Sequence, residues 1–446
     1  MPVAEHVLRH AADSPSRVAL RGPRGSLTYG ELAGRVQGGA RHLRGRGTLA
    51  AIALEDPVEL LTAVLAADLA GVTPLVGDPA WSPERWARVA GAAGADLWVG
   101  EPLPSAPGAP LTPDPRPGDR AWACFTSGST GRPRAVVRTR ASWTDSFPHL
   151  TELTGIGPAD VVLVPGPLVS SLYAFAAVHT LAVGATALVP GGRPAPAFLR
   201  AATAIHLVPH RLPEVLEQAP RLRTAVVGGA ALSRRARDLA GRAGVRVMSY
   251  YGATELSFVA FDADGGGMRP FPGVEVEVRA EPGHTLGEVW ARSPWLAEGY
   301  LGGAAGPLRR DGAGWTTVGD LAEPYRAGQV LRVRGRGDGA IQTGGATVVP
   351  EDVEAVLRKV PGVGDIVVIG SPHPSLGSVV TAVVEGASPP PRALLEAVAR
   401  SGLDVAQRPR RWYAVPALPR TGSGKPARGL VADRLAGGDP EIRRLV

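Results

Sequence analysis

The segment Phe125-Thr-Ser-Gly-Ser-Thr-Gly-Arg-Pro-Arg134 gathers hydroxyls and glycines behind an apolar run, Ala121 to Cys124. Backbone N–H and side-chain O–H groups at that density can surround phosphate oxygens with no Cβ in the way. It is not the phosphate loop of P-loop kinases, because GxxxxGK[ST] is absent and Pro133 would interrupt a following helix. Taken alone, such a loop is equally a flexible turn. Further along, Tyr250-Tyr-Gly-Ala-Thr-Glu255 puts a hydroxyl and a carboxylate beside a glycine turn. One carboxylate near phosphates suits Mg²⁺, which takes one or two carboxylates plus phosphate oxygens. Trp315-Thr-Thr-Val-Gly-Asp-Leu321 offers an acid able to accept from two ribose hydroxyls, and Gly335-Arg-Gly-Asp-Gly-Ala-Ile341 stands where the composition changes, as a hinge would. Finally Pro419-Arg-Thr-Gly-Ser-Gly-Lys-Pro426 carries Lys425 in a glycine loop. Only Lys359 and Lys425 are lysines among 48 basic side chains. Arginine cannot shed its charge or present a compact ammonium, so the loop that kept Lys425 needs such a group.

The elements that must position these segments are legible in the hydrophobic pattern. Val161–Val164, Ala185–Val189, Thr224–Val227 and Val245–Tyr250 are short apolar runs ending in turn residues, the pattern of buried strands. Helical periodicity fills Ser171–Val183 and Leu232–Gly241 between them. Strand and helix in alternation predict parallel sheets of the α/β class. After about residue 265 the texture becomes β-rich, with glycine turns. From Pro350 a helix, strands at Asp365–Ile369 and Ser378–Val384, a helix at Arg392–Arg400 and an irregular tail predict a small α+β domain. Residues 104–120 read as a Pro-rich surface linker.

A chain of 446 residues, 44% hydrophobic, is too long for one ordinary core and too apolar for disorder. Its single cysteine excludes an intrachain disulfide and a cysteine metal cluster, and fits a reducing compartment. The N-terminus lacks the unbroken apolar run of a secretory signal, and no stretch reads as a membrane span, so a cytoplasmic protein is expected. A net charge of +7 invites nucleic acid as a partner, but the arginines are scattered and seldom interleaved with aromatics, so none is expected.

In order and content, the five segments resemble the core motifs of the adenylate-forming (ANL) superfamily, which contains acyl-CoA synthetases, free-standing adenylation domains and luciferases. The resemblance runs from about Leu27 to Arg428. It implies a large N-terminal domain of two αβ subdomains plus a β-barrel-like part (residues 1–335), a hinge (336–340, with Asp338) and a mobile C-terminal domain (341–446). It also implies roles. Thr126, Ser127, Gly128, Ser129, Thr130 and Gly131 would hold the ATP phosphates. Gly228, Gly229 and Ala230 would frame the adenine, with Tyr251 stacked on the ring and Gly252 beside it. Thr254 would contact the α-phosphate, Glu255 the Mg²⁺, and Asp320 and Arg336 the ribose. Ser170, Tyr173, His206, Gly252 and Phe258 would line the acyl pocket, and Lys425 would be the catalytic lysine of adenylation. The activity implied is ATP-dependent conversion of a carboxylic acid to an acyl-AMP, followed by transfer to coenzyme A. Transfer to the phosphopantetheine arm of an acidic carrier protein is the alternative, and a catalytically retired relative is another.

Some positions depart from the family pattern. Arg134 stands where a lysine is usual, and Ser170 where a histidine or aromatic gate often sits, which suggests a smaller pocket floor. The segment Pro167–Tyr173 also lacks the aspartate with which amino-acid-activating members hold an α-amine, so a non-amino-acid substrate is expected. His206 and His210 read as structural residues or substrate contacts, Cys124 as a small buried hydrophobe, and Glu298 and Tyr300 as a turn and a core contact. Arg408-Pro-Arg-Arg411 reads as a solvated cluster or as the contact for a coenzyme A phosphate or an acidic carrier protein.

Overall fold

The computed structural model describes residues 4–105, 108–112, 116–126, 133–280, 286–336, 339–343, 346–421 and 424–445. Its strands form four sheets. The largest has nine strands and runs Arg269–Pro270, Ser257–Asp262, Arg246–Ala253, Thr224–Val227, Ala204–Leu207, Val161–Leu163, Thr186–Leu188, Val18–Gly22, Gly25–Thr28. Its middle is parallel and both edges are antiparallel. A second sheet runs Gly299–Tyr300, Arg134–Thr139, Arg120–Thr126, Thr73–Val76, Leu49–Ile52, Leu97–Val99. The central parallel strands of both are buried along their whole length, as expected of a sheet covered on each face.

Helices Pro57–Leu69 and Ser171–Ala182 lie between these two sheets and touch both. Such a position requires a helix that is largely apolar all round, and 18 of the 25 residues of the two are Ala, Val, Leu, Tyr or Phe. Local signals fix the ends. Asp56 Oδ1 accepts from the backbone N–H of Val58 at 2.8 Å with Pro57 as the first helical residue, and Thr28 with Glu31 forms a capping box on helix Tyr29–Leu43.

The third sheet, Glu275–Arg279, Gly287–Arg292, Thr316–Thr317, Arg309–Arg310, Asp320–Ala322 and Val333–Arg336, is antiparallel and forms the β-rich part. The fourth belongs to the C-terminal segment and is flanked by helices Pro350–Leu357, Arg392–Gly402 and Arg428–Ala436, with its own apolar cores around Trp412 and around Val431.

Two expectations are corrected. The tail is not irregular: Arg411–Val415 pairs in parallel with Gly377–Glu385, then come helix Arg428–Ala436 and strand Arg443–Arg444. Its strand partner lies far back in sequence, which short-range pattern does not reveal. The Pro-rich stretch is no free linker at Leu111, whose backbone is clamped by the Gln37 amide at 2.7 and 3.0 Å. In line with the reading of Pro133, no helix follows it: strand Arg134–Thr139 begins directly after it and pairs antiparallel with Arg120–Thr126.

Candidate active site

The parallel strands Ala204–Leu207, Thr224–Val227 and Arg246–Ala253 end at one edge of the nine-stranded sheet, and the predicted residues collect there. This is where open α/β sheets bind ligands. Thr126 ends its strand opposite Arg134, with its hydroxyl oxygen buried and without a hydrogen-bond partner among the described residues. Residues 127–132, and with them Ser127, Gly128, Ser129, Thr130 and Gly131, lie outside the described residues, as does Asp338. Arg134 donates through Nε to the carbonyl of Ala305 at 2.8 Å. Part of its fork therefore ties down backbone, which a lysine could not do in the same geometry.

Glu255 sits on the turn between strands Arg246–Ala253 and Ser257–Asp262 and is 2% exposed. Tyr300 donates to its Oε1 at 2.9 Å, and its backbone carbonyl accepts from Ala297 N–H at 2.8 Å. Its Oε2 is buried with no hydrogen-bond partner among the described residues. A buried carboxylate with one oxygen held and one open fits a divalent cation that takes its remaining ligands from phosphates and water. Among the described residues there is no group of three or more His, Cys, Asp or Glu that could hold a metal, so a protein-only cage is not formed there. Thr254 shares a hydrogen bond of 2.9 Å with Ser171, and Phe125 donates its backbone N–H to Val169 at 3.3 Å. Through these contacts the Val169–Ser171 segment joins the phosphate strand to the Glu255 turn. Gly252 is required by this turn: a Cβ there would lie 2.1 Å from the carbonyl oxygen of Ser257.

Tyr251 donates to Asp320 Oδ2 at 2.8 Å, and Asp320 stands opposite Arg336 in the β ladder. The residues assigned to adenine and to ribose are thus one connected unit. Gly228 is buried beneath the Tyr250 ring, while Gly229, at φ +86°, is exposed. A Cβ on Gly229 would come within 3.0 Å of Lys425 Cε and 3.1 Å of Nζ. The C-terminal lysine therefore lies against the glycine pair at the end of strand Thr224–Val227, with Ala230 exposed alongside. Its loop is shaped by Thr421 N–H donating to the Lys425 carbonyl at 2.7 Å, and is anchored by Arg420, which pairs with Asp365 and Glu385 at 3.1 and 2.9 Å.

On the acyl side, Ser170 precedes helix Ser171–Ala182 and Tyr173 lies in its first turn, with its ring over Gly166. His206 is buried on its strand, and burial pushes its imidazole down to about 3, so it is neutral. His210 is exposed on a short 3₁₀ turn near Gly424 and is held below the usual histidine range by partial desolvation, then by Arg420 and Arg211. Phe258 sits among Phe175, Tyr250 and Phe271 with ring centroids 4.7–5.0 Å away, so it backs Tyr250 from within an aromatic core. Burial pushes the Cys124 thiol up to about 12, in keeping with a small buried hydrophobe.

Two residues escape the sequence reading. Tyr300 is more than a core contact, because it holds the Glu255 carboxylate from 45 positions away. Arg138 is buried on strand Arg134–Thr139 and donates to Ser257 Oγ at 3.0 Å while its guanidinium lies over Trp143, fixing the strand that leaves the Glu255 turn. Neither has a local signal, since a tyrosine and an arginine in strands normally read as packing and solvent. Glu298 is likewise more than a turn residue and pairs with Arg120 at 2.7 Å.

Comparison with known proteins adds to this picture. The family model described as AMP-binding enzyme matches residues 7–107 and 100–301, and the AMP-binding enzyme C-terminal domain matches residues 352–425. The uncharacterized acyl–CoA ligase YhfT of Bacillus subtilis is 29% identical, over 94% of this chain and 96% of that one. A probable 2-succinylbenzoate–CoA ligase of Mycobacterium tuberculosis is 34% identical, over 72% of this chain and 85% of that one. In longer synthases the chain corresponds to one part, as in the naringenin synthase of Pestalotiopsis fici, of which it spans 19% at 27% identity. Among solved structures, o-succinylbenzoate CoA synthetase (MenE) of Bacillus subtilis in complex with its acyl-adenylate intermediate shares the fold with a TM-score of 0.82 at 22% identity, over 96% of this chain and 97% of that one.

Proposed function

Because the chain belongs to the AMP-binding enzyme family, we propose that it is an ATP-dependent acid–thiol ligase that adenylates a non-amino-acid carboxylic acid and transfers the acyl group to coenzyme A. In the first step a carboxylate oxygen bonds to the α-phosphorus of ATP while the bond to the bridging oxygen breaks, giving acyl-AMP and pyrophosphate. In the second, the thiolate sulfur attacks the acyl carbon and AMP leaves. Both partners of the first step are anions, so the site must supply positive charge and orientation.

This chain's residues suit those tasks. Lys425 brings an ammonium to the glycine pair at Gly228 and Gly229, Thr254 would contact the α-phosphate, and Tyr251 and Asp320, bonded to each other, would hold the nucleoside. Glu255 would hold Mg²⁺ through its open oxygen, and the ion would neutralise phosphate charge. Rotation about residues 336–340, with Asp338 as pivot, would then withdraw Lys425 and admit the thiol. The observation that supports the reading most is the lysine's position, because a residue of the C-terminal part reaches Gly229 on the far larger N-terminal part. The expected compartment is cytoplasmic; no helix among the described residues is long and apolar enough to cross a membrane.

A carrier protein as acceptor is the second reading. It is favoured by Arg408, Arg410, Arg411, Arg443 and Arg444, which gather at one sheet edge with no carboxylate partner among the described residues. The test of function is direct. Lys425→Ala should lower ATP–pyrophosphate exchange by roughly 10²-fold or more while leaving thiolation of added acyl-AMP largely intact. Equal loss of both half-reactions would overturn the role of Lys425. No exchange with any acid in a broad panel would favour a retired enzyme.

A further inference from the structure

His206 and Tyr173, both assigned to the acyl end of the site, and Tyr250, packed edge-on against Phe258, are three neutral hydrogen-bonding groups. Side chains alternate along strand Ala204–Leu207, so Ile205 and Leu207 enter one core while Ala204 and His206 face the other side of the sheet. His206 pairs in register with Val226, and Val226 with Met248, so the three share that face. His206 Nε2 is buried there with no hydrogen-bond partner among the described residues. Tyr250, two positions beyond Met248 on the same face, lays its ring on Gly228, where a Cβ would be 2.3 Å from Cζ and 2.5 Å from the hydroxyl. Tyr173 lays its ring on Gly166 so closely that a Cβ there would be 1.9 Å from Cε2. Neither phenol has a hydrogen-bond partner among the described residues. Buried polar groups in native proteins are nearly always paired, so the sealed His206 Nε2, together with two unpaired phenols whose oxygens are not sealed from solvent, points to a ligand that pairs them.

Resting on the adenylating function above, we propose that this chain selects a short carboxylic acid bearing a neutral hydrogen-bonding substituent, a hydroxyl or a keto oxygen, and rejects both long alkyl chains and a second carboxylate. Length is limited because the two rings occupy the space the glycines leave open. Charge is disfavoured because His206 is neutral and Arg211, whose field reaches Tyr173, already shares Glu214 with Arg193, at 3.2 and 2.9 Å. A second carboxylate would be buried there without a counter-charge. An unsubstituted chain would strip water from the phenols and leave His206 Nε2 unpaired, which costs affinity in the same way.

The test uses butyrate, β-hydroxybutyrate, acetoacetate and succinate, which share one chain length, with octanoate as the length control. Binding of each acid to the full chain saturated with Mg²⁺ and a non-hydrolysable ATP analogue is measured by calorimetry, and ATP–pyrophosphate exchange is measured in parallel. The hydroxy or keto acid should bind about tenfold or more tighter than butyrate or succinate, and Tyr250→Phe and Tyr173→Phe should shrink that preference. Butyrate, succinate or octanoate binding as tightly, no binding by any acid, or a preference unmoved in both phenylalanine variants would overturn the proposal. If the preference holds in binding while exchange is absent with every acid, the pocket assignment stands and adenylation falls.

Discussion

Replacing Tyr300 by phenylalanine removes one oxygen atom and should be felt at the metal. The ring packs on Gly306, where a Cβ would lie 2.3 Å from it, and phenylalanine keeps that packing. What is lost is the 2.9 Å hydrogen bond to a carboxylate that is 2% exposed, together with the acceptor for Leu308 N–H at 3.3 Å. Burial and the neighbouring Glu255 raise the Tyr300 pKa well above that of a free phenol, so the group is a protonated donor throughout the working range. A hydrogen bond to a charged group contributes about 1.5–3 kcal/mol, and each 1.4 kcal/mol is about tenfold in affinity. Without it the buried carboxylate is less stable as an anion and less well aimed, so it competes less well for a cation. The Mg²⁺ concentration needed for half-maximal binding of an ATP analogue should rise about 10- to 100-fold. Exchange activity should recover in large part at saturating Mg²⁺, which a merely structural defect would not allow. Calorimetric titration of Mg²⁺ against protein and analogue, with Mn²⁺ paramagnetic resonance as a second readout, decides the matter. An unchanged Mg²⁺ titration, or a loss that excess Mg²⁺ leaves untouched, would refute the argument.

The remaining predictions concern stability. Burial pushes His179 down to about 4 and His206 to about 3 from an unfolded value near 6.5, so the unfolded chain binds more protons below that value. Their contribution is complete above pH 6.5 and lost as the pH falls toward 4, by about 2 kcal/mol per residue at pH 5. Urea unfolding at pH 7 and pH 5 should show the loss, and an equal loss in a His179→Gln/His206→Gln double variant would assign it elsewhere. Gly252→Ala should cost about 2–3 kcal/mol, because its Cβ meets the backbone oxygen of Ser257 at 2.1 Å and not the end of a side chain. The same variant should weaken Mg²⁺-dependent ATP-analogue binding, since the Glu255 turn must move; a wild-type urea midpoint would contradict this.

The sequence by itself determined the class of the fold and the chemistry. Apolar runs such as Thr224–Val227 and the periodicity of Ser171–Val183 are local consequences of burial, and the structure keeps them within a residue or two. The five segments carry their chemistry in residue type and order, which is why Thr126, Glu255, Asp320 and Lys425 stand out without any geometry. Tertiary structure alone decided what lies next to what. Tyr300 reaches Glu255 across 45 residues, Tyr251 reaches Asp320 across 69, and the strand Arg411–Val415 exists because a distant strand offers it an edge. The exchange of lysine for arginine at position 134 also became intelligible only in three dimensions, through the bond from Nε to Ala305. Patterns of period two and 3.6 report which face of an element is buried. They do not report which distant residue meets that face, because such pairing is selected by the packing of the whole chain.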